Sequence, residues 1–453
     1  MTSERRRPRE AFVWIWLPDR IAPVVAGRVH QEGQANDVYH VFAYARSYLN
    51  RSDAISIFEP ELPLQWGEID PDPPLGMANC LRDASPDAWG RRVVAYRLAG
   101  GRTCSEEEID ELSELTFMLQ TGSDRAGALD FQESPDSYVP REAHAERLDT
   151  LLNAAEHVER GLPLSPSLAE ALQHGTSMGG ARPKVLIEDG RSKHIAKFPT
   201  SRDDYNVVKA EFVAMRLADL AGTNVAPVKL TRALDKDVLL VERFDRTWTE
   251  DGWKRRATVS ALTLFGLHEM FARYASYEDL ADLVRLRFTE PRETLAELFS
   301  RMTFNILVGN TDDHARNHAA FWDGSQLTLT PAYDICPQRR VGREASQGML
   351  IHGAEGNSSR LSLCLDAAHK FLLSKEKALS IMRNQISAIA TNWGAVCDEA
   401  VLNDADRRSL WRRQFLNGLA FEGLEEQLSP EIDVVSKVDP GAQGVHAPSD
   451  SDS

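Results

Sequence analysis

The sequence lacks an apolar run long enough to cross a membrane. Near the N-terminus, AFVWIWL contains seven apolar residues, whereas a membrane-spanning helix needs about 20. This run follows the basic stretch ERRRPRE, as the apolar part of a secretory signal does, but it ends in Pro-Asp-Arg and lacks a small-residue cleavage site. We therefore predict that AFVWIWL is a strand and that the chain has no membrane contact.

Cysteine is scarce, and positive charge is outweighed by negative charge. The five cysteines form no C-x-x-C pair and their number is odd, so the sequence predicts neither a disulfide framework nor a zinc knuckle. Such usage suits a reducing compartment, and we expect a cytoplasmic location. The formal net charge of −16 at pH 7 argues against binding nucleic acid through a broad basic surface, although a local patch or a basic partner is compatible with it.

The remaining composition is that of a globular protein. Of the 453 residues, 42% are hydrophobic and 26% are charged, and the length suggests about three domains. Near the N-terminus, SPDAWGRRVVAYRLAG is typical of a helix with Ser85 at its cap and Pro86 in its first turn. The stretches in this region that are typical of strands are AFVWIWL, PVVAGRVH, VYHVFAYA and AISIFE.

The most informative stretch is GNTDDHARNHAAFWDGSQLTLTPAYD, which runs from Gly309 to Asp334. Asp312, Asn317 and Asp334 have the types and spacing of a phosphotransferase site, in which one carboxylate takes or orients a proton and an Asn and an Asp hold Mg²⁺. The preceding run MTFNILVGN fits a buried helix or strand end, so Asp312 begins a loop. HAAFW and LTLTPAYD are predicted to form two strands joined by a turn at Asp323-Gly324, which returns Asp334 to the loop.

A second informative stretch is TSMGGARPK, which we interpret as a phosphate-binding loop. Gly179 and Gly180 allow the backbone to approach an anion, although the pattern is neither of the two common phosphate-loop signatures and a simple hairpin turn is the alternative. Lys197 lies in the apolar strand HIAKF, where an unpaired ammonium is costly. It is therefore predicted to bind a phosphate or a carboxylate, or else to lie at a strand edge.

The next segments complete the order of elements found in a two-lobed kinase. Glu211 lies on the predicted helix NVVKAEFVAMRLADLAG and is placed to pair with Lys197. VERFDR, at the end of a predicted strand, offers the backbone from Glu242 to Phe244 to an adenine ring. From Val259 onward the pattern is mainly helical, and the Asp312 segment follows.

Together, SMGGARPK, HIAKFP, VERFDR, NTDDHARN and LTPAYD resemble the HipA family of bacterial serine/threonine kinases, the toxins of toxin-antitoxin pairs. FAYARSYL, LPLQW, LRDASPDAWGR and GSDRAGAL agree with that family's N-terminal order. The resemblance implies Asp312 as catalytic base, Asn317 and Asp334 as Mg²⁺ ligands, Lys197 on the ATP phosphates and autophosphorylation of Ser177. It also implies a helix-turn-helix antitoxin of the HipB type, operator DNA bound mainly through that antitoxin, and an aminoacyl-tRNA synthetase as the family-type protein substrate.

The fold expected from this resemblance is α+β: a two-lobed protein-kinase-like fold with an additional N-terminal α/β subdomain and an α-helix-rich C-terminal lobe. The loop sequence Gly-Ala-Arg-Pro departs from the Gly-Ala-Gln of many relatives. The expected segments are an N-terminal α/β subdomain (1–130), a linker (131–148), a kinase N-lobe (149–258), a helical C-lobe (259–427) and a disordered tail (428–453).

Two functions other than a protein kinase explain the sequence less well. A metallophosphoesterase needs further histidines in short downstream motifs, which the sequence does not supply. A catalytically silent, kinase-like regulatory module acting with a DNA-binding antitoxin would bind ATP without turnover.

His314 is predicted to support the loop rather than to act as a base. Arg339, Arg340 and Arg343 are predicted either to form a solvated loop or to bind acidic substrates.

Overall fold

The structure is a computed structural model. The residues that it describes are 8–33, 38–142, 146–165, 168, 169, 172, 180–340, 344–353 and 356–442.

The strands are β1 (Glu10–Ile15), β2 (Val24–Glu32), β3 (Tyr39–Tyr44), β4 (Glu68–Ile69), β5 (Leu129–Gln132), β6 (Lys184–Asp189), β7 (Ser192–Lys197), β8 (Val228–Ala233), β9 (Lys236–Glu242), β10 (Arg246–Thr249), β11 (Gly252–Arg255), β12 (Ala257–Ser260), β13 (Ala319–Trp322) and β14 (Leu327–Leu329).

The α-helices are α1 (Arg46–Leu49), α2 (Asn79–Arg82), α3 (Ala88–Leu98), α4 (Glu106–Asp110), α5 (Glu114–Gln120), α6 (Leu148–Arg160), α7 (Val207–Leu220), α8 (Ala261–Leu264), α9 (Tyr277–Arg287), α10 (Pro291–Val308), α11 (Leu361–Ala367), α12 (Lys375–Glu399), α13 (Asp404–Leu410) and α14 (Ser429–Lys437). Short 3₁₀ helices lie at Glu269–Tyr274, Ala315–Asn317, Ala368–Phe371 and Gly418–Phe421.

The chain divides into two compact units, and the first comprises residues 1–200, 231–268 and 320–327. Its N-terminal part is a five-stranded sheet with the order β4-β3-β2-β1-β5, and the β1 and β5 pairing is antiparallel. AFVWIWL therefore contributes a strand, as predicted. Gly27 on β2 faces a bulge between Val13 and Trp14, and a Cβ at Gly27 would lie 2.3 Å from the carbonyl oxygen of Ala43, so only glycine fits there.

The first unit also contains a four-stranded sheet with the order β6-β7-β9-β8. Helices α3 and α6 pack against it through a common apolar core, and α6 is strongly amphipathic, with buried residues on one face. The fully or nearly fully buried members of this core include Trp89, Val93, Leu152, Val158, Val185, Phe198 and Val238.

The second unit comprises residues 201–230, 269–319 and 328–453, and it is mainly helical. Helix α10 begins with Pro291 in its first turn and ends at Gly309, whose φ of 71° is left-handed, so both ends follow the usual preferences of helices. Twelve of its eighteen residues are buried, including all of those from Arg301 to Val308. Helix α12 packs beside it, and Thr303 Oγ1 donates to Gln385 Oε1 across 2.8 Å.

Three local expectations differ from the structure. AISIFE forms no strand; instead, Tyr48 Oη donates to the carbonyl of Ile55 and Tyr44 Oη accepts from the N–H of Ile57, so tyrosine hydroxyls bond part of this backbone. The N-cap of α3 is Asp87 rather than Ser85, whose hydroxyl donates to Glu114 across 2.5 Å. SALTLFGLHEMFARYA is not one helix, because Gly266 adopts a φ of 62° between α8 and a 3₁₀ turn.

The polar C-terminal segment was expected to be a disordered tail from residue 428, and this expectation is wrong for its first part. Residues Ser429–Lys437 form α14, with Pro430 in the first turn. Leu428 and Val435 are buried, and α14 packs against α12, so a small apolar contact stabilises this helix. Residues 443–453 lie outside the described residues.

Candidate functional site

The segment that carries Asp312 begins where α10 ends. A Cβ at Gly309 would lie 2.7 Å from the carbonyl oxygen of Gln414, and the left-handed φ also favours glycine there. The following residue, Asn310, is buried, and its Nδ2 donates to Asn305 Oδ1 of α10 across 3.0 Å. This turn leads the chain out of the core and places Asp312 at the surface, as the sequence predicts.

The three predicted side chains of this loop lie in one place in the second unit. Asn317 ends the 3₁₀ turn, and its Nδ2 donates to the carbonyl oxygen of Asp312 across 3.0 Å. Asn310 Nδ2 lies 3.4 Å from the carbonyl oxygen of Asp334, which ties the two ends of the stretch together. Asp334 itself has a φ of 59°, a conformation that non-glycine residues rarely adopt and that often marks a functional position.

Burial and neighbouring charges shift the pKa of the Asp312 carboxyl group. Partial removal of water raises the pKa of the Asp312 carboxyl group, His314 lowers it, and the negative charges of Asp334 and Asp313 raise it further. A perturbed carboxyl group beside a second carboxylate is typical of a site that binds a cation or handles a proton. The side chain of Asp312 is exposed, so a substrate can reach it.

A buried polar triad lies beneath the loop. Asp313 Oδ1 is 2.9 Å from His318 Nε2, Tyr277 Oη is 3.1 Å from His318 Nε2, and Tyr277 Oη donates a short hydrogen bond to Asp313 Oδ2. Burial raises the pKa of the Tyr277 hydroxyl, and so does the Asp313 charge, so the hydroxyl keeps its proton. Sequence reasoning missed this triad, and the available signal was that Asp313 directly follows Asp312 and His318 directly follows Asn317.

The glycine loop and Lys197 belong to the first unit. Lys197 ends β7, is 9% exposed and pairs with Lys184 of β6 across the sheet. The N–H of Gly180 donates to Asp87 Oδ2 across 2.7 Å, and a Cβ at Gly180, whose φ is 107°, would lie 2.0 Å from Lys184 Nζ. The φ of 107° favours glycine at position 180, whereas the lysine end could move aside, and the bond to Asp87 holds one end of the loop beside α3. Ser177 and Gly179 lie outside the described residues.

Glu242 and Phe244 lie where β9 ends. Glu242 is partly exposed and pairs with His194 of β7, while the Phe244 ring contacts Phe321 edge-to-face at 5.7 Å. Glu211 is buried on α7 in the second unit. Since Lys197 belongs to the first unit, its pairing with Glu211 stays a prediction.

The charged residues of VERFDR have a structural function that the sequence analysis did not foresee. Arg243 Nη1 and Arg246 Nε donate to Asp124 Oδ1 across 2.8 and 2.9 Å, and Gly127 N–H donates to Asp245 Oδ2 across 2.8 Å. Burial opposes the ionisation of Asp124, but the two arginines outweigh it and hold its pKa well below the usual range. The motif GSDRAGAL thus fixes the segment between β9 and β10 within the first unit.

The residues around Asp312 suit a magnesium ion that keeps water and phosphate ligands better than a metal ion bound by protein ligands alone. In the described part of the chain, no three or more His, Cys, Asp or Glu side chains are grouped to hold a metal ion. Magnesium, however, is usually bound through one or two carboxylates, with water and substrate phosphates completing the shell. The Asp334 carboxylate and the Asn317 amide oxygen form a set of that kind.

Among the described residues, every helix is too short or too polar to cross a bilayer. No disulfide joins any of the five cysteines, which all lie in the described part of the chain: Cys80, Cys104, Cys336, Cys364 and Cys397.

Comparison with known proteins assigns the two parts of the chain to one family. Residues 16–132 match the model of the HipA N-terminal domain, and residues 176–393 match that of the HipA-like C-terminal domain. A putative kinase, Y4mE, from Sinorhizobium fredii is 30% identical over 50% of this chain and 58% of its own length. The serine/threonine-protein kinase toxin HipA of Shewanella oneidensis is 28% identical over 35% of this chain and 42% of its own length. The chain therefore spans about half the length of these curated relatives.

The solved structures extend this likeness to the fold. HipA in the complex of Shewanella oneidensis HipA, HipB and operator DNA superposes with a TM-score of 0.66, at 18% identity, over 94% of this chain and 99% of that chain. The α+β, kinase-like fold expected from the sequence is thereby confirmed. With both domain models matched in order and the fold shared along nearly its whole length, the chain belongs to the HipA family.

Proposed function

We propose that this chain is a protein serine/threonine kinase that uses ATP and Mg²⁺. The observation that carries the proposal is the grouping of Asp312, Asn317 and Asp334 around one turn, with the Asp312 side chain exposed. Matching relatives are named as a putative kinase and as a serine/threonine-protein kinase toxin, which supports the same activity.

In the proposed reaction, Asp312 acts on the substrate hydroxyl. The serine or threonine oxygen attacks the γ-phosphorus of ATP, the bond from that phosphorus to the bridging oxygen breaks, and ADP leaves. The Asp312 carboxylate takes or orients the hydroxyl proton. The hydrogen bond from Asn317 to the Asp312 carbonyl fixes the backbone that carries this carboxylate, so the group does not have to be ordered at each turnover.

The same loop supplies the proposed metal ligands. The Asn317 amide oxygen and the Asp334 carboxylate are the oxygen ligands that magnesium prefers. Bound Mg²⁺ would neutralise charge on the phosphate oxygens and position the γ-phosphoryl group. The left-handed backbone of Asp334, tied by its carbonyl to Asn310, holds one of these ligands in a fixed position.

The first unit supplies most of the proposed nucleotide contacts. Lys197 is assigned to the ATP phosphates, and the backbone from Glu242 to Phe244 is assigned to the adenine. Glu211, which belongs to the second unit, is the residue proposed to orient Lys197. The loop with Gly179 and Gly180 covers the phosphates, and Asp87 anchors it at Gly180.

We assign autophosphorylation to Ser177, next to this loop. A phosphate on Ser177 adds about two negative charges where the ATP phosphates bind. It therefore opposes ATP binding and inactivates the kinase.

At the level of the cell, we propose a cytoplasmic toxin with a helix-turn-helix antitoxin of the HipB type. The HipA chain of similar fold was solved in a complex with HipB and operator DNA, and cysteines that form no disulfide suit a reducing compartment. The substrate is a host protein, with an aminoacyl-tRNA synthetase as the candidate that family resemblance supplies. The net charge of −16 favours DNA contacts through the antitoxin.

The proposal is tested by mass spectrometry of the purified protein with and without Mg-ATP, beside Asp312→Asn. We expect a phosphate on the peptide that contains Ser177 in the parent protein. The variant should form it about 10²–10⁴ times more slowly, since it lacks the proton acceptor. Omitting Mg²⁺ should abolish the reaction in both.

Host proteins are the second arm of this test. If no phosphate appears on the chain, host lysate with labelled ATP reports whether a foreign substrate is used. Bound ATP without transfer in either arm would reject the kinase and favour the alternative, a silent kinase-like module that acts with a DNA-binding antitoxin. Equal transfer by Asp312→Asn would reject the role of Asp312.

A further inference from the structure

The second unit contains a cavity of about 520 Å³ that the proposed reaction does not use. All the residues that line it belong to this unit, and those that matter here are Asp204, Tyr205, Arg339, Arg340, Arg413 and Gln414. We call it the arginine cavity. Its lining includes three arginines and one aspartate, a formal charge of +2, in a chain whose net charge is −16.

The charge of the arginine cavity is only partly compensated by the protein. Arg339 forms a close ion pair with Asp204. Arg413 is exposed and forms no salt bridge within the described part of the chain. The remaining positive charge therefore resides on Arg340 and Arg413.

Arg340 is the most unusual of the three arginines. Its Nη2 donates to Ser359 Oγ across 3.1 Å, while Nε and Nη1 are buried and have no hydrogen-bond partner among the described residues. Burial lowers the pKa of its guanidinium. A positive charge that is partly buried, with no ion-pair partner among the described residues, is costly, which favours an anion in the adjoining space.

The size and charge of the arginine cavity narrow the class of ligand. Its volume is within the range of pockets for small molecules and exceeds what a single ion fills. A phosphate monoester carries close to two negative charges at neutral pH, which matches the lining, and arginine is the side chain best suited to phosphate oxygens. We propose that the arginine cavity binds a small phosphorylated molecule. The guanidinium of Arg413 contacts its phosphate, and the positive charge of Arg340 attracts it.

The walls of the arginine cavity are joined to the segment that leads to Asp312. Gln338 N–H donates to the carbonyl of Gly309 across 2.9 Å, and Leu416 N–H donates to the carbonyl of Leu307 across 2.6 Å. Tyr205 Oη donates to the carbonyl of Pro337 across 2.5 Å. A ligand that holds these walls together therefore stabilises the second unit, and we expect it to raise the melting temperature.

The test uses the full-length protein without Mg²⁺ or ATP and follows binding by calorimetry. The probes are inorganic phosphate, pyrophosphate and AMP, which separate a phosphate site from one that also needs a nucleoside. We expect saturable binding of at least one probe, weakened about tenfold or more by Arg413→Gln because a charge-assisted contact is lost. Arg340→Gln should also weaken binding; if that variant fails to fold, the exposed Arg413 carries the test alone.

Two controls keep this result specific. Arg412→Gln removes an equal charge at the next residue, which is exposed and does not line the cavity, so it should leave the affinity unchanged. Lys197→Ala tests whether the probe binds at the proposed nucleotide site instead. The proposal is overturned if no probe binds saturably, if Arg412→Gln and Arg413→Gln weaken binding equally, or if Lys197→Ala abolishes it. Phosphate transfer by the chain is measured separately, so this proposal and the kinase proposal fail independently.

Discussion

At the scale of single residues, two adjacent carboxylates have opposite environments. Asp312 is exposed at the mouth of the loop, whereas Asp313 is 1% exposed and accepts hydrogen bonds from Tyr277 and His318. A buried carboxylate with two donors is a rigid support, and an exposed one can meet a substrate. The two adjacent residues therefore combine the proposed catalytic carboxylate, Asp312, with a buried carboxylate that supports its loop, Asp313.

The anchor can be tested with Asp313→Asn. An asparagine retains one acceptor oxygen but turns an amide N–H₂ group toward the remaining donors, so a buried donor loses its partner. We expect a loss of about 1–3 kcal/mol in the free energy of unfolding, measured by urea denaturation, together with a lower rate of phosphate transfer.

The matched control for this anchor is Tyr277→Phe, which removes one hydrogen bond and leaves the Asp313 charge paired with His318. It should cost less, about 1 kcal/mol. Unchanged stability in Asp313→Asn would show that the triad does not support the loop.

A second residue, His40, makes the first unit sensitive to pH. It is 9% exposed, with Nδ1 3.1 Å from the carbonyl oxygen of Gly76. Burial lowers its pKa; the Gly76 carbonyl and Glu114 raise it, whereas Arg82 and His30 lower it further. Below the unfolded pKa of about 6.5, the unfolded chain takes up a proton that the folded chain resists, so stability falls as the pH falls.

We expect the free energy of unfolding to decrease from pH 7.5 to pH 5.5, and His40→Gln to decrease less over the same interval. Glutamine retains a donor for the Gly76 carbonyl and does not titrate, so the difference between the two proteins isolates this histidine. Denaturation curves at both pH values provide the measurement. An equal decrease in both proteins would assign the pH dependence to other groups.

At the scale of elements, the end of α10 determines where the loop begins. Gly309 meets two demands at once, a left-handed φ and the close approach of Gln414. Gly222, which follows α7, also has a positive φ of 85°, but a Cβ there would meet nothing within 4 Å. Comparison of the two positions therefore distinguishes the cost of a left-handed φ, present at both, from the cost of a steric clash, present only at Gly309.

Substitution of each glycine by alanine tests this difference. Gly222→Ala should cost about 1–2 kcal/mol of unfolding free energy, as expected for a left-handed non-glycine residue. Gly309→Ala should cost about 1–3 kcal/mol more, because the Gln414 backbone must shift, and it should also slow phosphate transfer. Equal costs for the two variants would mean that the contact with Gln414 is easily relieved.

The elements also show what the sequence can predict. Strands β1, β2 and β3, helix α10 and the turn at Asp323-Gly324 follow from local periodicity and turn residues. AISIFE has the pattern of a strand, but tyrosine hydroxyls from α1 and β3, rather than a neighbouring strand, bond part of its backbone. Local pattern rules do not predict such partners, and the same limit applies to Asp87 at the cap of α3, whose carboxylate accepts from the N–H of Gly180.

In the candidate site, too, the sequence indicates residues whose type and spacing are informative, but it does not indicate contacts between residues far apart along the chain. Asp312, Asn317 and Asp334 could be chosen because residue type and spacing reflect chemistry directly. The triad of Asp313, His318 and Tyr277 could not, since Tyr277 is 36 residues from Asp313 along the chain and its contact arises only from packing.

At the scale of the whole molecule, acidic residues outnumber basic ones by 68 to 52, and the charge of −16 opposes approach to DNA. Affinity for DNA rests largely on the release of counterions by lysine and arginine at phosphates, a gain that an acidic surface does not supply. The arginine cavity does not alter this conclusion, because it is concave and suits a small ligand rather than a duplex. DNA contacts made by a complex of this chain should therefore come mainly from its partner.

This expectation is tested by titrating labelled operator DNA with the chain alone and with the chain plus the proposed antitoxin at physiological salt. We expect no saturable binding by the chain alone and tight binding by the pair. Screening reaches only about 8 Å at that ionic strength, so lowering the salt strengthens the repulsion and should not rescue binding by the chain. If the chain alone bound DNA, with an affinity that fell steeply as salt increased, a local basic surface would dominate the net charge, and the assignment of DNA contacts to the partner would be wrong.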